Sequence, residues 1–315
     1  SALLRSNYGG EKNPVTSIYI GGGTPTLLCE EDLDCVLQTL QRDFSLIEGE
    51  EYTLEGSPET VTRDKISLAK SYGVNRTSIG IESFDDQVLP LLARRHTASG
   101  ALHALDEIRA AGITNLDFDL IRGLPGTTCE HILRDLEGVA RARTPSVTSY
   151  QYSVKPRSLD LTALKRNALD VERDSRTLTE MHILFNLGMQ RLGYYQNPVD
   201  WHIKDMEHEY QHNVLKWRDN RNLALGLGSY GYVNPLNHEH DYQIVHWVGG
   251  DQLGLGLSSY GYVGGIQFMN FSNRAAYEES IRNGRLPVEK VFMLSKEERA
   301  HRHFLLGLKT RVHLD

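Results

Sequence analysis

The chain has 315 residues, 40% of them hydrophobic and 24% charged, with a formal net charge of −7 at neutral pH. That length holds one large domain, or one with an appendage, and the acidic balance gives no basic stripe for nucleic acid. No apolar run approaches the roughly 18–20 residues of a membrane span, no signal peptide is visible, and Cys29, Cys35 and Cys129 fit a reducing, cytoplasmic setting without disulfides.

In chain order, residues 1–14 are polar and lack periodicity. Ser17–Ile20 is a β-rich run followed by three glycines and Thr-Pro-Thr. A strand ending in glycines has no Cβ in the way, so a ligand can lie against its backbone. Glu30–Phe44 carries Leu33, Val36, Leu37, Leu40 and Phe44 at helical spacing. Strand Glu51–Glu55 ends in Gly-Ser-Pro, helix Thr60–Tyr72 ends at Gly73, and strand Arg76–Ser83 follows. Helices are expected at Asp85–Arg95 and Ser99–Ala111, the second stopped by Gly112. Strand Thr114–Ile121 ends in Gly-Leu-Pro-Gly, Thr128 caps the next helix, and Ser146–Val154 is a fifth strand.

Strand alternating with helix at this period predicts a parallel α/β sheet, open or closed as a barrel. Ligand sites of such sheets lie at the C-terminal strand ends. Here those ends carry Gly21–Thr24, Glu55, Glu82, Asp119 and Ser153. A single carboxylate at a strand end is usually just solvated; three on successive strands are expected to converge on one mouth.

A long helix over 171–192 is predicted, with Leu178, Met181, Leu184, Phe185 and Leu192 facing inward. Residues 194–265 are rich in Tyr, His, Asn and Gly and contain a tandem duplication. Segments 217–233 and 247–263 match at ten of seventeen positions, thirty residues apart. Two copies do not make a solenoid. His208 and His212 are four apart, with His202 and His238 nearby, but no accompanying motif completes a metal site, and none is assigned. Ser295 and Glu298 form a capping box opening a helix over Lys296–Arg311. The expected division is a barrel core over 1–156 and a helical, Tyr/Gly-rich region over 157–315.

The stretches IYIGGGTPTLL (18–28), YTLEGSPET (52–60), GVNRTSIGIESFDD (73–86), LLARRHT (91–97), LDFDLIRGLPGTT (116–128), SYQYSVKP (149–156), YQHNVLKW (210–217) and LGLGLSSYGYV (253–263) resemble the radical S-adenosylmethionine (SAM) enzymes around oxygen-independent coproporphyrinogen III oxidase and the related haem chaperone. Their order and spacing follow that family from about residue 16 onward. The resemblance implies a partial (βα)6 TIM-like barrel lacking its first strand and holding SAM across its strand ends. It places Gly22, Gly23 and Thr24 along the methionyl amino group. Glu55 corresponds to an acidic cofactor contact, and Glu82, where Gln is common, to a ribose contact. Arg94 matches the partner of the methionyl carboxylate, a charge-assisted bond suited to a guanidinium. By the same resemblance Asp119 corresponds to an acidic residue near the ribose, and Ser153 and one duplicated tyrosine, Tyr260 or Tyr230, to residues that line the adenosine.

The family's CxxxCxxC loop, which holds a [4Fe–4S] cluster whose electron cleaves SAM to a 5′-deoxyadenosyl radical, has no counterpart here. Cys29, Cys35 and Cys129 have the wrong places and spacing. The expectation is a fragment inactive alone, drawn from a parent oxidoreductase that uses SAM, a [4Fe–4S] cluster and an electron donor such as flavodoxin or ferredoxin on a tetrapyrrole or other organic substrate. The alternatives are a non-catalytic SAM- or haem-binding protein and a radical SAM methyltransferase or cyclopropanase. An unrelated aldolase of the same fold class would want a strand-end lysine, and only Lys155 comes close. Two structural expectations follow: Ser17–Ile20 is an open sheet edge, and the second copy of the duplication occupies the structural slot while the first loops out.

Overall fold

The computed structural model describes residues 13–21, 24–124, 126–152, 175–197, 201–209, 223–225, 253–255, 260–263 and 266–299. In chain order they form β1 (Asn13–Ile20), α1 (Glu30–Asp43), β2 (Phe44–Gly56), α2 (Arg63–Ser71), β3 (Arg76–Glu82), α3 (Ala98–Ala110) and β4 (Asn115–Arg122). These are followed by α4 (Cys129–Ala142), β5 (Ser146–Gln151), α5 (Ser175–Arg191), β6 (Tyr195–Asn197) and β7 (Trp201–Ile203). Last come β8 (Leu223–Leu225), β9 (Leu253–Leu255), β10 (Tyr260–Val263), β11 (Ile266–Asn270), α6 (Arg274–Arg282) and β12 (Val288–Met293). The alternating order and mostly parallel pairing are the predicted α/β architecture. The chain divides into two compact units, one of residues 1–55, 71–74 and 210–315 and one of residues 56–70 and 75–209.

In the first unit β1 pairs with β2 in parallel. Helix α1 buries Leu33, Leu37 and Leu40, the i, i+4, i+7 stripe of an amphipathic helix, and carries Glu30, Glu31 and Asp32 in its first turn, where the helix dipole favours negative charge. Strand β2 begins directly after α1, seven residues earlier than the sequence pattern suggests. Gly49, at φ +86°, lets the early and late parts of β2 both pair with β1, whose register shifts between Val15 and Ser17.

The expectation of an open edge at β1 is corrected here. Strand β8 pairs in parallel beside it, Ile20 opposite Leu225, and β9 pairs in parallel with β8. Strand β8 belongs to the first copy of the duplication and β9 to the second. Their register, Leu223 with Leu253, Ala224 with Gly254 and Leu225 with Leu255, is the register of the repeat itself. The first copy therefore does not simply loop out: its strand takes the place next to β1. Like sequences present like hydrogen-bonding edges, and an exposed edge recruits a strand. Strands β10, β11 and β12 form a separate antiparallel sheet. At the next turn the predicted capping box is present: Ser295 N–H donates to Glu298 Oε2 at 2.8 Å and Glu298 N–H to Ser295 Oγ at 3.1 Å. Beyond 299 the predicted helix lies outside the described residues.

In the second unit β3, β4 and β5 are parallel, and β7 and β6 extend the sheet antiparallel beyond β5. The core comprises Ile66 and Ala69 of α2, Ile79 and Ile81 of β3, Leu105 and Ile108 of α3, Leu116, Phe118 and Leu120 of β4, Val139 of α4, and Met181, Phe185 and Met189 of α5. Arg76 and Asp117, with 1% and 2% exposed side chains, form a buried ion pair at 3.2 Å. Asp117 also accepts from Thr148 at 2.7 Å. Thr128 caps α4 as predicted, with the His131 ring accepting from its amide at 3.0 Å. Gly112 ends α3 at φ +86°. One predicted helix is absent: Asp85–Arg95 contains only a short 3-10 turn at Leu89–Leu92. Pro90 removes an amide donor, and Ala93 turns left-handed at φ +57°.

Candidate strand-end site

The ends of β1 and β2 in the first unit bring Tyr19, Gly21 and Glu55 together. Ile20 lies opposite Leu54, so Glu55 falls beside Gly21, while Tyr19 and Gly21 share one strand face. The Tyr19 hydroxyl donates to Glu55 Oε1 in a short bond. A Cβ on Gly21 would come within 2.5 Å of Glu55 Oε2 and 2.6 Å of the Tyr19 ring, so any larger residue would displace this pair. Gly22 and Gly23 lie outside the described residues. Thr24 caps the 3-10 turn Pro25–Leu27, its carbonyl accepting from Leu27 at 2.8 Å. Tyr260 opens β10; Tyr230 lies outside the described residues, as does Ser153.

The ends of β3, β4 and β5 in the second unit gather Glu82, Arg94, Asp119 and Tyr150. Glu82 is 4% exposed and has φ +70°, a left-handed backbone that a non-glycine residue adopts only under constraint. The β3–β4 register shifts between Gly80 and Glu82, a bulge that re-aims the Glu82 side chain. Its Oε1 pairs with Arg94 Nη2 in a short ion pair, and its Oε2 accepts from the Tyr150 hydroxyl at 3.2 Å. Burial raises the Glu82 carboxyl above its usual range despite the opposing pull of Arg94 and Tyr150. Burial also raises the Tyr150 phenol, with the negative charges of Asp119 and Glu82 adding to it. Asp119 lies opposite Gly80 on the neighbouring strand. A Cβ on Gly80 would sit 3.1 Å from Glu82 Oε1 and 3.6 Å from Arg94 Nη2, so the ion pair rests on bare backbone.

The segment carrying Arg94 is anchored by residues the sequence reading passed over. Glu59 Oε1 accepts from the amides of Arg95 and His96, each at 3.2 Å, and lies 2.9 Å from His96 Nδ1; His96 Nε2 lies 3.0 Å from the Ile81 carbonyl oxygen. Burial opposes charge on Glu59, but these donors outweigh it and hold the carboxyl down at about 2. His96 thus ties the arginine segment to β3 one residue before Glu82. Its signal was its place in the LLARRHT stretch. Tyr19 and Tyr150 were legible only as strand residues.

The histidines on which a metal was considered serve other contacts. His202 is buried on β7, 3.1 Å from Asn186, and burial, with the positive charges of Arg122 and His182, holds its ring down at about 4. His208 pairs with Asp205 at 2.5 Å. His212 and His238 lie outside the described residues. Among the described residues no group of three or more His, Cys, Asp or Glu could hold a metal ion.

A guanidinium paired with one buried carboxylate over the bare backbone of Gly80, with Asp119 on the neighbouring strand, fits a zwitterionic, ribose-bearing ligand such as SAM. Arg94 spends Nη2 on Glu82, while its side chain stays 31% exposed. The cysteines do not fit a [4Fe–4S] cluster: Cys29 and Cys35 are exposed, one at the N-cap of α1 and one within it, and Cys129 opens α4. Among the described residues no helix is long and apolar enough to cross a membrane.

The model of the Radical SAM superfamily matches residues 6–138. The chain is 31% identical over 224 residues to the heme chaperone HemW of Haemophilus influenzae, covering 70% of this chain and 56% of that protein. It is 31% identical over 222 residues to HemW of Escherichia coli, again 70% and 56%. To the mitochondrial radical S-adenosyl methionine domain-containing protein 1 of Bos taurus it is 30% identical over 221 residues, 70% and 50%. The chain thus spans about half the length of the curated relatives it matches. Its fold is that of the coproporphyrinogen III oxidase HemN from Escherichia coli, with a TM-score of 0.72 at 20% identity over 94% of this chain and 63% of that one. That family in general implies SAM and a [4Fe–4S] cluster. The match over residues 6–138, the motifs and these likenesses support the radical SAM family, in its HemN and HemW group, as the one this chain resembles.

Proposed function

We propose that the chain binds SAM through its strand ends and forms part of a protein that uses it on, or alongside, a tetrapyrrole. The observation that carries this reading is the constrained Glu82 held against Arg94 over Gly80. Strained backbone at a buried charged residue is kept where it serves a site. In this reading Arg94 receives the methionyl carboxylate, Glu82 and Asp119 the ribose hydroxyls, Glu55 the ammonium group, and Gly22, Gly23 and Thr24 lie along the methionyl chain. Ser153 and Tyr260 line the adenine side. Tyr19 and Tyr150 orient the two glutamates, and burial of Glu82 excludes water from its carboxylate. Bound SAM supplies this family with hydrogen-abstraction chemistry, and the cluster and an electron donor of flavodoxin or ferredoxin type belong to that chemistry. The residues of this chain are assigned binding and orientation only.

The tetrapyrrole follows from what the relatives are named for: HemW as a heme chaperone and HemN as coproporphyrinogen III oxidase. The identity of about 31% to HemW favours a second reading, in which the protein holds heme without turning a substrate over. The test is calorimetric titration of the chain with SAM, and separately with heme, for wild type, Arg94→Ala and Glu55→Ala. The proposal expects SAM binding that weakens at least tenfold in each variant, since each removes a charge-assisted contact worth about 1.5–3 kcal/mol. Heme binding that competes with nothing at these residues, with no SAM binding, would replace it with the second reading.

A further inference from the structure

We propose that Asp135 is a positioning residue for Glu82, clamping the turn that leaves β3 so that the Glu82 side chain stays on Arg94. The proposal rests on the reading of Glu82 as a cofactor contact. Glu82 ends β3 in a left-handed conformation that no local preference of glutamate explains. Something outside the strand must therefore hold the residues that follow. Asp135, on α4, is 4% exposed, and its Oδ1 accepts from the Ser83 hydroxyl at 2.8 Å and from the Phe84 amide at 2.7 Å. The Ser83 oxygen in turn accepts from the Asp85 amide at 3.0 Å. Three consecutive residues after Glu82 are thus tied to one carboxylate oxygen.

The same helix grips the turn twice more. Arg134 donates to Asp85 Oδ2 at 2.6 Å, and Gly138 leaves the space that the Phe84 ring fills. Phe84 also meets Phe118 edge-on, ring centroids 5.4 Å apart. Residues 134, 135 and 138 of α4 therefore hold Asp85, the Ser83 hydroxyl with the Phe84 amide, and the Phe84 ring. Of the three, only Asp135 holds Ser83, the residue next to Glu82, and a backbone amide of the turn. A buried carboxylate is costly unless its hydrogen bonds are met. Here burial pushes the Asp135 carboxyl up to about 7, against the two bonds from Phe84 and Ser83 and with the charge of Asp85 adding to the rise. The charged groups around it are Asp85, which pairs with Arg134 at 2.6 Å and lies 3.9 Å from the His131 ring. A group kept at that cost, with turn donors as its bonds, is explained by the turn.

The experiment compares the full 315-residue chain with Asp135→Asn, Asp135→Leu and Ser83→Ala, reading SAM affinity by calorimetry and amide hydrogen exchange at Phe84, Leu116 and Phe118. Asparagine keeps an acceptor oxygen and leucine does not. Asp135→Leu should weaken SAM binding about tenfold and lose protection at Phe84 while Leu116 and Phe118 stay protected. Asp135→Asn should bind within about threefold of wild type with Phe84 protected, a rescue that a merely volumetric role would not give. Ser83→Ala should fall between them, and with Asp135→Asn it decides the matter if the leucine variant does not fold. Wild-type affinity in a folded Asp135→Leu chain, or an asparagine variant as weak as the leucine one, would overturn the proposal. If the wild-type chain itself takes no SAM, the cofactor reading fails alone. The clamp is then decided by exchange: protection at Phe84 lost in Asp135→Leu and kept in Asp135→Asn upholds it, and unchanged protection removes it.

Discussion

The two units finish their sheets in different ways. In the unit holding β3, β4 and β5, each parallel neighbour arrives from the next βα step, and the ends of these strands are dressed by short-range turns and the helices between them. In the unit holding β1 and β2, the strand that flanks β1 comes from far along the chain, from one copy of a duplicated segment, and is itself flanked by the other copy. The first arrangement fixes side chains tightly enough to strain Glu82 and bury its charge. The second fixes a sheet edge with main-chain pairing. One carboxylate, Glu82, is therefore held by an arginine and a tyrosine in a buried setting, while Glu55 shares its short bond with a half-buried tyrosine over a glycine.

The contrast sharpens under mutation. The largest expected effect lies in the βα-ordered unit. Asp117→Ala removes the partner of fully buried Arg76 and should cost about 3–5 kcal/mol in urea unfolding. A loss under about 1 kcal/mol would mean the pair is not the foundation of β3 and β4. Next, Gly138→Val drives a side chain into the Phe84 ring, since helix backbone and ring leave no room. Overpacking of this kind should cost about 2–3 kcal/mol by the same measurement.

Much of this unit could be read in advance because its information is local. The Thr128 cap and the left-handed stop at Gly112 follow from residues within a turn or two of each other. The pairing of Glu82 with Arg94 was not legible, because the resemblance gave each a separate ligand group and only the bulge at Gly80 turns one onto the other. The Asp85–Arg95 helix failed on Pro90 and Ala93, a local signal outvoted by apolar spacing. The neighbour of β1 failed for the opposite reason. Nothing near Ser17–Ile20 says which distant segment pairs with it, and the expectation favoured the second copy of the duplication, whereas the first pairs with β1.

Acid and base titration give a middling effect and act within the βα-ordered unit alone. Asp135, raised to about 7 from an ordinary 3.8, keeps its proton in the folded state while the unfolded chain loses it, so its contribution falls as pH rises from about 4 to 7. His202, lowered to about 4 from 6.5, stays neutral while the unfolded chain takes a proton, so its contribution falls as pH drops from about 6.5 to 4. Each slope is at most about 1.4 kcal/mol per pH unit. Asp135→Asn should leave stability rising with pH across that window, and His202→Asn should leave it falling. Identical pH profiles for the two variants would contradict these environments.

The smallest effect is expected in the other unit. Leu225→Pro removes an amide from the strand beside β1 and should cost about 1 kcal/mol, with faster hydrogen exchange along β1 and no change at Phe118. Unchanged exchange on β1 would show that the first copy of the duplication does not close that edge.

The account is tested most directly by a crystal structure of the chain grown with SAM. It predicts the methionyl carboxylate within hydrogen-bond distance of Arg94, the ribose hydroxyls on Glu82, and Glu82 still turned at positive φ after β3. SAM bound elsewhere, with Arg94 and Glu82 touching only each other, would contradict it.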